Sequence, residues 1–213
     1  MYQLRKSSKQ DIEQIANCQL ACFEKSFSTK LGQSYTAKTL QWFLTGENRF
    51  LFHVEEGETV VGFCGGFISR QPGDGSTSGM MQYAMREAAI GMIGKPWLFF
   101  SKEIRPFYPL IIKNISNKIF RKKNLLQKSI PTDQPFEKKV GLVVIGVLPR
   151  FRGKGVFEMR MTAFENETVE RNIQRMGLSV KKDNQHAIHA YEKCGWQVNK
   201  EHAGSYEMYK EIS

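Results

Sequence analysis

A β-branched run, Val140 to Val147, ends at Pro149 and leads through Arg150-Phe151-Arg152-Gly153-Lys154-Gly155 into a stretch of helical length and composition, Val156 to about Arg171. No other feature constrains the fold as strongly, because a buried strand that feeds a helix through a tight turn calls for helices packed on a sheet. The turn also has the physics of an anion site. The first backbone N–H groups of a helix lack intrahelical partners, the helix dipole is positive at that end, and glycines keep side chains out of the way. Arg152 and Lys154 add charge. A Walker A loop is disfavoured, since it needs four residues between its glycines and a Ser or Thr after the Lys, and Lys154 is followed by Gly155. The third glycine of the dinucleotide fingerprint is likewise missing from Gly153-Lys154-Gly155-Val156-Phe157-Glu158.

The rest of the chain supplies layers for such a fold. Residues 2 to 6 read as a short strand, and Ser8 with Asp11 three residues on is a capping-box-like start to a helix with Ile12, Ile15, Ala16 and Phe23 on one face. A second helix begins near Thr36 and carries Leu40, Phe43 and Leu44 inward; Phe50 to Val54 and Thr59 to Ser69 form a hairpin across Glu56-Gly57. Gly62, Gly65 and Gly66 weaken its second strand unless the strand bends or another group comes close. Downstream come a strand at Gly177 to Val180, a helix capped by Asn184 and ending before Gly195, and closing strands at Trp196 to Val198 and Tyr206 to Ile212. Residues 71–138 are too many for a structureless loop. Met81, Met85, Ala88 and Met92 recur there at helical spacing, a packing stripe; so do Tyr108, Ile111, Ile112, Ile115 and Ile119, opposite Lys113, Asn117, Lys118 and Arg121. The order is β-α-α-β-β, insertion, β-α-β-α-β-β.

Two motifs now carry a resemblance. Val147-Leu148-Pro149-Arg150-Phe151-Arg152-Gly153-Lys154-Gly155-Val156 resembles the acetyl-CoA pyrophosphate loop of the GNAT superfamily, with Arg152 and Gly155 matching. Phe157 departs from it, standing where the family has a small residue that lets the pyrophosphate approach the first helical turn. Asn184-Gln185-His186-Ala187-Ile188-His189-Ala190-Tyr191-Glu192-Lys193-Cys194-Gly195-Trp196 resembles the family's N-x-x-A-x-x-x-Y-E-K-x-G-F signature. The likeness covers residues 1–70 and 139–213 in family order.

The resemblance implies an α/β fold with a mixed, mostly antiparallel sheet flanked by helices, and an N-acetyltransferase that passes the acetyl group of acetyl-CoA to a primary amine by direct attack in a ternary complex, with no metal. It implies coenzyme contacts at Ile145, Val147, Arg152, Gly153, Lys154, Gly155, Val156, Phe157, Asn184 and Tyr191. Tyr191 is implied as the acid that protonates the departing thiolate, and the backbone N–H of Val147 as the oxyanion donor if the strand splays there. The acceptor is expected to be a small molecule such as an amino sugar or sugar nucleotide. The alternative is a catalytically silent acyl-CoA-binding or membrane-surface module.

Size and composition bound these readings. The 213 residues, 41% hydrophobic, fill one core, so a single domain spanning 1–213 with a helical, basic insertion at 71–138 is expected. Between Lys95 and Lys139 stand eleven basic and three acidic residues, which hold most of the net charge of +10. The basic helix at Leu110 to Lys123 reads as a solvated face, a dock for an anionic acceptor, or a contact with an anionic membrane; no nucleic-acid module is recognised. The longest apolar runs, Trp97 to Phe100 and Leu110 to Ile112, fall far short of the roughly 20 residues of a membrane span, and the opening residues are unlike a secretory signal, so a cytoplasmic protein is expected. Cys18, Cys22, Cys64 and Cys194 form no metal or C-x-x-C pattern and read as reduced, with Cys18 and Cys22 able to face one another. His186 and His189 read as partly exposed helix residues, and His53 with Glu55 as a candidate base or relay. Monomer and homodimer both stay open.

Overall fold

The computed structural model describes residues 1–69, 76–100 and 138–212. In chain order the elements are β1 (Tyr2–Lys6), α1 (Ile12–Cys22), α2 (Phe27–Leu31), α3 (Gln33–Gln41), β2 (Arg49–Glu56), β3 (Thr59–Ser69), α4 (Ser76–Tyr83) and α5 (Met85–Ile93). Then follow β4 (Lys139–Val147), α6 (Val156–Glu170), β5 (Arg175–Lys181), α7 (Gln185–Lys193), β6 (Gln197–Glu201) and β7 (Ser205–Glu211). Short 3₁₀ turns stand at Trp42–Leu44, Pro96–Phe100 and Pro149–Phe151. The strands make one seven-stranded sheet in the order β1-β2-β3-β4-β5-β7-β6. Among the described strands only β4 and β5 run parallel. This is the expected mixed, mostly antiparallel sheet with helices on both faces.

Strand alternation divides the core in two. Phe50 and Phe52 of β2 point to the face covered by α6 and α7, where they join Met161, Phe164, Ile188 and Trp196. Leu51, between them, points to the other face and meets Ile12 and Ile15 of α1, Leu40 of α3, and Phe43. The three glycines of β3 are explained by neighbouring side chains. A Cβ on Gly65 would lie 2.9 Å from the Phe43 ring, one on Gly66 2.3 Å from that of Phe50, and one on Gly62 2.9 Å from Val156 and 3.3 Å from the Arg160 guanidinium.

Three expectations change in detail. The capping box at Ser8 is half formed: the Asp11 carboxylate accepts from the N–H and hydroxyl of Ser8, at 2.7 and 2.8 Å, but the Ser8 hydroxyl accepts from the Gln10 N–H and α1 begins only at Ile12. Phe23 lies past the last turn of α1 and is 38% exposed. The methionine stripe is broken at Ala84 between α4 and α5: Met80 packs beneath Trp42 and Phe43, Ala88 and Met92 pack against Leu31 and Tyr35, and Met85 is exposed. The basic segment Leu110 to Lys123 lies outside the described residues. Among those described, no helix is long and apolar enough to cross a membrane.

Candidate active site

The sheet opens at its centre. β4 pairs with β5 only at Val140/Met176, Gly141/Gly177 and Leu142/Leu178, after which the strands run on to Val147 and Lys181 without pairing. A bulge accounts for the parting. Opposite β3, Gly65 pairs with Val144 and Gly66 with Leu142, so Val143 is an extra residue that bends β4 just where the parallel ladder stops. Further along, the N–H of Leu148 donates to the Val61 carbonyl at 3.0 Å. Neighbouring peptides of an antiparallel strand alternate in direction, so the N–H of Val147 turns away from β3 into the opening, as does that of Ile145.

The loop after β4 forms the wall beside this opening. Gly153 and Gly155 have φ of +71° and +80°, left-handed values at which a side chain is strained, although neither Cβ would touch anything. Conformation rather than crowding requires glycine there. The N–H groups of Gly153, Lys154 and Gly155 find no backbone acceptor among the described residues, and those of Val156, Phe157 and Glu158 are the unpaired first donors of α6. Six successive donors therefore line one exposed turn. Arg152 is exposed and donates from Nε to the Val147 carbonyl at 3.4 Å; the Lys154 ammonium lies 5.5 Å from the Phe151 ring centre.

Across from α6, Asn184 caps α7 by accepting from the Ala187 N–H at 3.3 Å, and Gly195 ends the helix at φ +81°. Tyr191 is 6% exposed, its ring between those of Phe157 at 5.7 Å and Trp196 at 5.9 Å. Burial pushes its phenol up to about 12, with the Arg160 charge opposing. Phe157, the departure from the family motif, therefore packs on the residue proposed as the acid. Ile145 joins Phe157 and Tyr191 in the core on this face, whereas Val147 packs with Val156 and Phe151.

Arg160 was not singled out by sequence. It is 0% exposed, and its guanidinium donates from Nη1 to the carbonyls of Phe63 and Gly146, both at 2.6 Å, and from Nε to Val156 at 2.9 Å. Among the described residues no carboxylate pairs with it and its Nη2 has no partner. Burial lowers its proton affinity, yet an arginine stays charged in proteins. The available signal was its place on the buried stripe of α6 with Val156, Ala163 and Phe164.

On the sheet face opposite α6 and α7, Lys139, Gly141, Val143, Gly177, Ser179 and Glu207 line a groove of about 350 Å³ beside the parting strands, with His202 at its rim. His53 is not open to it. Its ring is buried, with Nδ1 2.8 Å from the Ser7 hydroxyl and Nε2 3.1 Å from Glu55. Asp11, His53 and Glu55 place donor atoms within 4.8 Å of one another, but Ser8 and Arg5 already hold the two carboxylates. Cys18 and Cys22 do face each other, 4.0 Å apart, and their hydrogen bond with burial raises the Cys18 thiol.

The model of the acetyltransferase (GNAT) family matches residues 127–196, about a third of the chain. Many solved structures share the fold. The ribosomal-protein-S18-alanine N-acetyltransferase of Escherichia coli superposes with a TM-score of 0.56 at 12% identity, covering 100% of this chain and 95% of that one. The paiA N-acetyltransferase of Thermoplasma acidophilum, in complex with coenzyme A, gives 0.57 at 12%, covering 100% and 99%. Arabidopsis thaliana NAA60, in complex with acetyl-CoA, gives 0.56 at 13%, again covering 100% and 99%. No curated protein matches in sequence.

Proposed function

We propose, for a chain that has the GNAT fold and carries the acetyltransferase (GNAT) pattern over residues 127–196, an N-acetyltransferase that moves the acetyl group of acetyl-CoA to a primary amine. The observation that carries this reading is the juxtaposition of a parted strand pair with a six-donor turn at the start of α6. The pyrophosphate binds the amides of Gly153 to Glu158 with Arg152 and Lys154, and the pantetheine arm enters between α6 and α7 past Asn184. The thioester then lies along the unpaired edge of β4 at Ile145 and Val147.

The amine approaches from the opposite face of the sheet. Its lone pair forms a bond to the thioester carbon while the carbonyl π electrons move to oxygen, held by the Val147 N–H. When the C–S bond breaks, the thiolate takes the Tyr191 phenolic proton; the proton lost by the attacking nitrogen restores the phenol through solvent. The sum is acetyl-CoA plus amine giving amide plus coenzyme A. No metal enters these steps.

The whole chain is one GNAT domain in this reading, with 71–138 as an insertion. The docking of α4 and α5 on α2 and α3, through Leu31, Tyr35, Ala84 and Leu98, supports it. The described part of the insertion, residues 76–100, packs on α2 and α3, and in this reading it shapes with them the acceptor site for a small molecule such as an amino sugar or sugar nucleotide. A second reading, a peripheral membrane contact, draws on Ile93, Trp97 and Phe100, which precede the basic segment in sequence and are 78%, 64% and 83% exposed among the described residues. Co-sedimentation with anionic vesicles that salt abolishes would support it.

The test of the first reading is thiol release from acetyl-CoA over a panel of amines. Turnover is expected with at least one, and Tyr191→Phe should slow it by about a hundredfold or more. Coenzyme binding with no turnover on any amine would leave the silent module in its place.

A further inference from the structure

Arg160 bonds to the carbonyl of Gly146, and that carbonyl belongs to the same peptide group as the N–H of Val147. A trans peptide points its C=O and N–H in opposite directions. A guanidinium fixed on the oxygen therefore sets the plane of the group and draws electron density from the nitrogen side, making the N–H a better donor. We propose that Arg160 is a positioning residue that aims and polarises the Gly146–Val147 peptide toward the acyl oxygen; this rests on the acyl-transfer reading above.

Three features point to a role beyond packing. The bond is short, 2.6 Å, and charge-assisted, and a second one of equal length to Phe63 locks the guanidinium across β3 and β4. Gly62 leaves room for the approach: a Cβ there would crowd the guanidinium carbon at 3.3 Å and the Gly146 oxygen at 3.2 Å. The charge is also costly for folding, since it is buried without a carboxylate and with Nη2 unpartnered among the described residues. An apolar residue would serve the core better. In the reaction the charge has a use: as the C–N bond forms and the acyl C=O π bond opens, the negative charge that gathers on oxygen sits on a peptide already polarised by a nearby cation in low dielectric.

The experiment uses the full chain with Arg160→Met, which fills the space without charge, and Arg160→Lys, which restores it. Three readouts are taken: coenzyme A affinity, steady-state kinetics, and the infrared carbonyl band of bound acetyl-CoA labelled with ¹³C at the acyl carbonyl. Arg160→Met is expected to bind coenzyme A within about twofold of native and to lose roughly ten- to hundredfold in kcat with the KM for acetyl-CoA unchanged, somewhat less than deletion of an oxyanion donor costs. The labelled band, shifted to lower frequency in the native protein, should move back toward its solution position, and Arg160→Lys should recover part of both effects. Native kcat in Arg160→Met, or an unmoved band, overturns the proposal. So does a loss confined to coenzyme affinity, which would mark a purely structural residue. If Arg160→Met does not fold, Arg160→Gln, uncharged but still polar, takes its place, and native kcat with a native band in that variant would equally overturn it. Absence of turnover in the native protein is the separate result that defeats the acyl-transfer reading itself.

Discussion

Tyr191 and Arg160 show how burial sets what a residue can contribute. Tyr191 lies between two aromatic rings, and its phenol rises from 10.0 to about 12 because the phenolate would be poorly solvated. It therefore holds its proton throughout the neutral range, as the proposed donor to a thiolate must. A rate profile between pH 6 and 9 should show no limb from this group, and any basic limb there should survive in the residual activity of Tyr191→Phe. The same shift bears on stability. With its folded value above its unfolded one, Tyr191 leaves stability unchanged below pH 10 and subtracts from it as pH climbs toward about 12. Alkaline unfolding followed by circular dichroism should be shallower in that window for Tyr191→Phe. The sequence motif marked Tyr191, but Arg160 stayed hidden because a lone arginine between Met159 and Met161 reads as an ordinary helix charge. Only the opposing carbonyls, brought from β3 and β4, give it a task.

At the scale of elements, the segments with strong local signals are the ones that the sequence placed well. The valines of β4, the Asn184 cap and the Gly195 stop set their boundaries through short-range chemistry, and each stands within a residue or two of its expected place. The bulge at Val143 left no such mark, because the pair Gly65-Gly66 that accompanies it lies on another strand and the register between the two is a tertiary fact. The break at Ala84 was masked for a similar reason: α4 and α5 share a helical period, and only their separate docking on Trp42 and on Leu31 divides them. Packing at β3 gives a direct test. Gly66→Ala would force the Phe50 and Phe164 rings aside, at a cost of about 1–3 kcal/mol in denaturant melts. At Gly91 of α5, a Cβ would come within 2.5 Å of the Leu31 carbonyl, a backbone atom that cannot swing away. Gly91→Ala should loosen α5 from α2 and open the insertion to limited proteolysis, while coenzyme A affinity, which the proposed site assigns to α6, stays as it was.

At the scale of the whole molecule, the seven-stranded sheet divides into two antiparallel sets joined along one short parallel ladder. β1 to β4 form one through continuous antiparallel pairing and β5, β7 and β6 form the other, with three residue pairs between them. Helices α6 and α7 bridge the junction on one face through Phe157, Tyr191 and Ile188. A ligand seated between these helices would add a third connection, and at a hundredfold excess over its dissociation constant would raise stability by about 2.7 kcal/mol. Hydrogen exchange should place that gain unevenly, with amides of β5 and β7 slowing more than those of β2 and β3. Equal slowing throughout would mean that the junction does not yield on its own. A seam of this kind behaves like an unfastened garment edge: the molecule would breathe there first on warming, and nucleotide-tailed thioesters would double as the clasp.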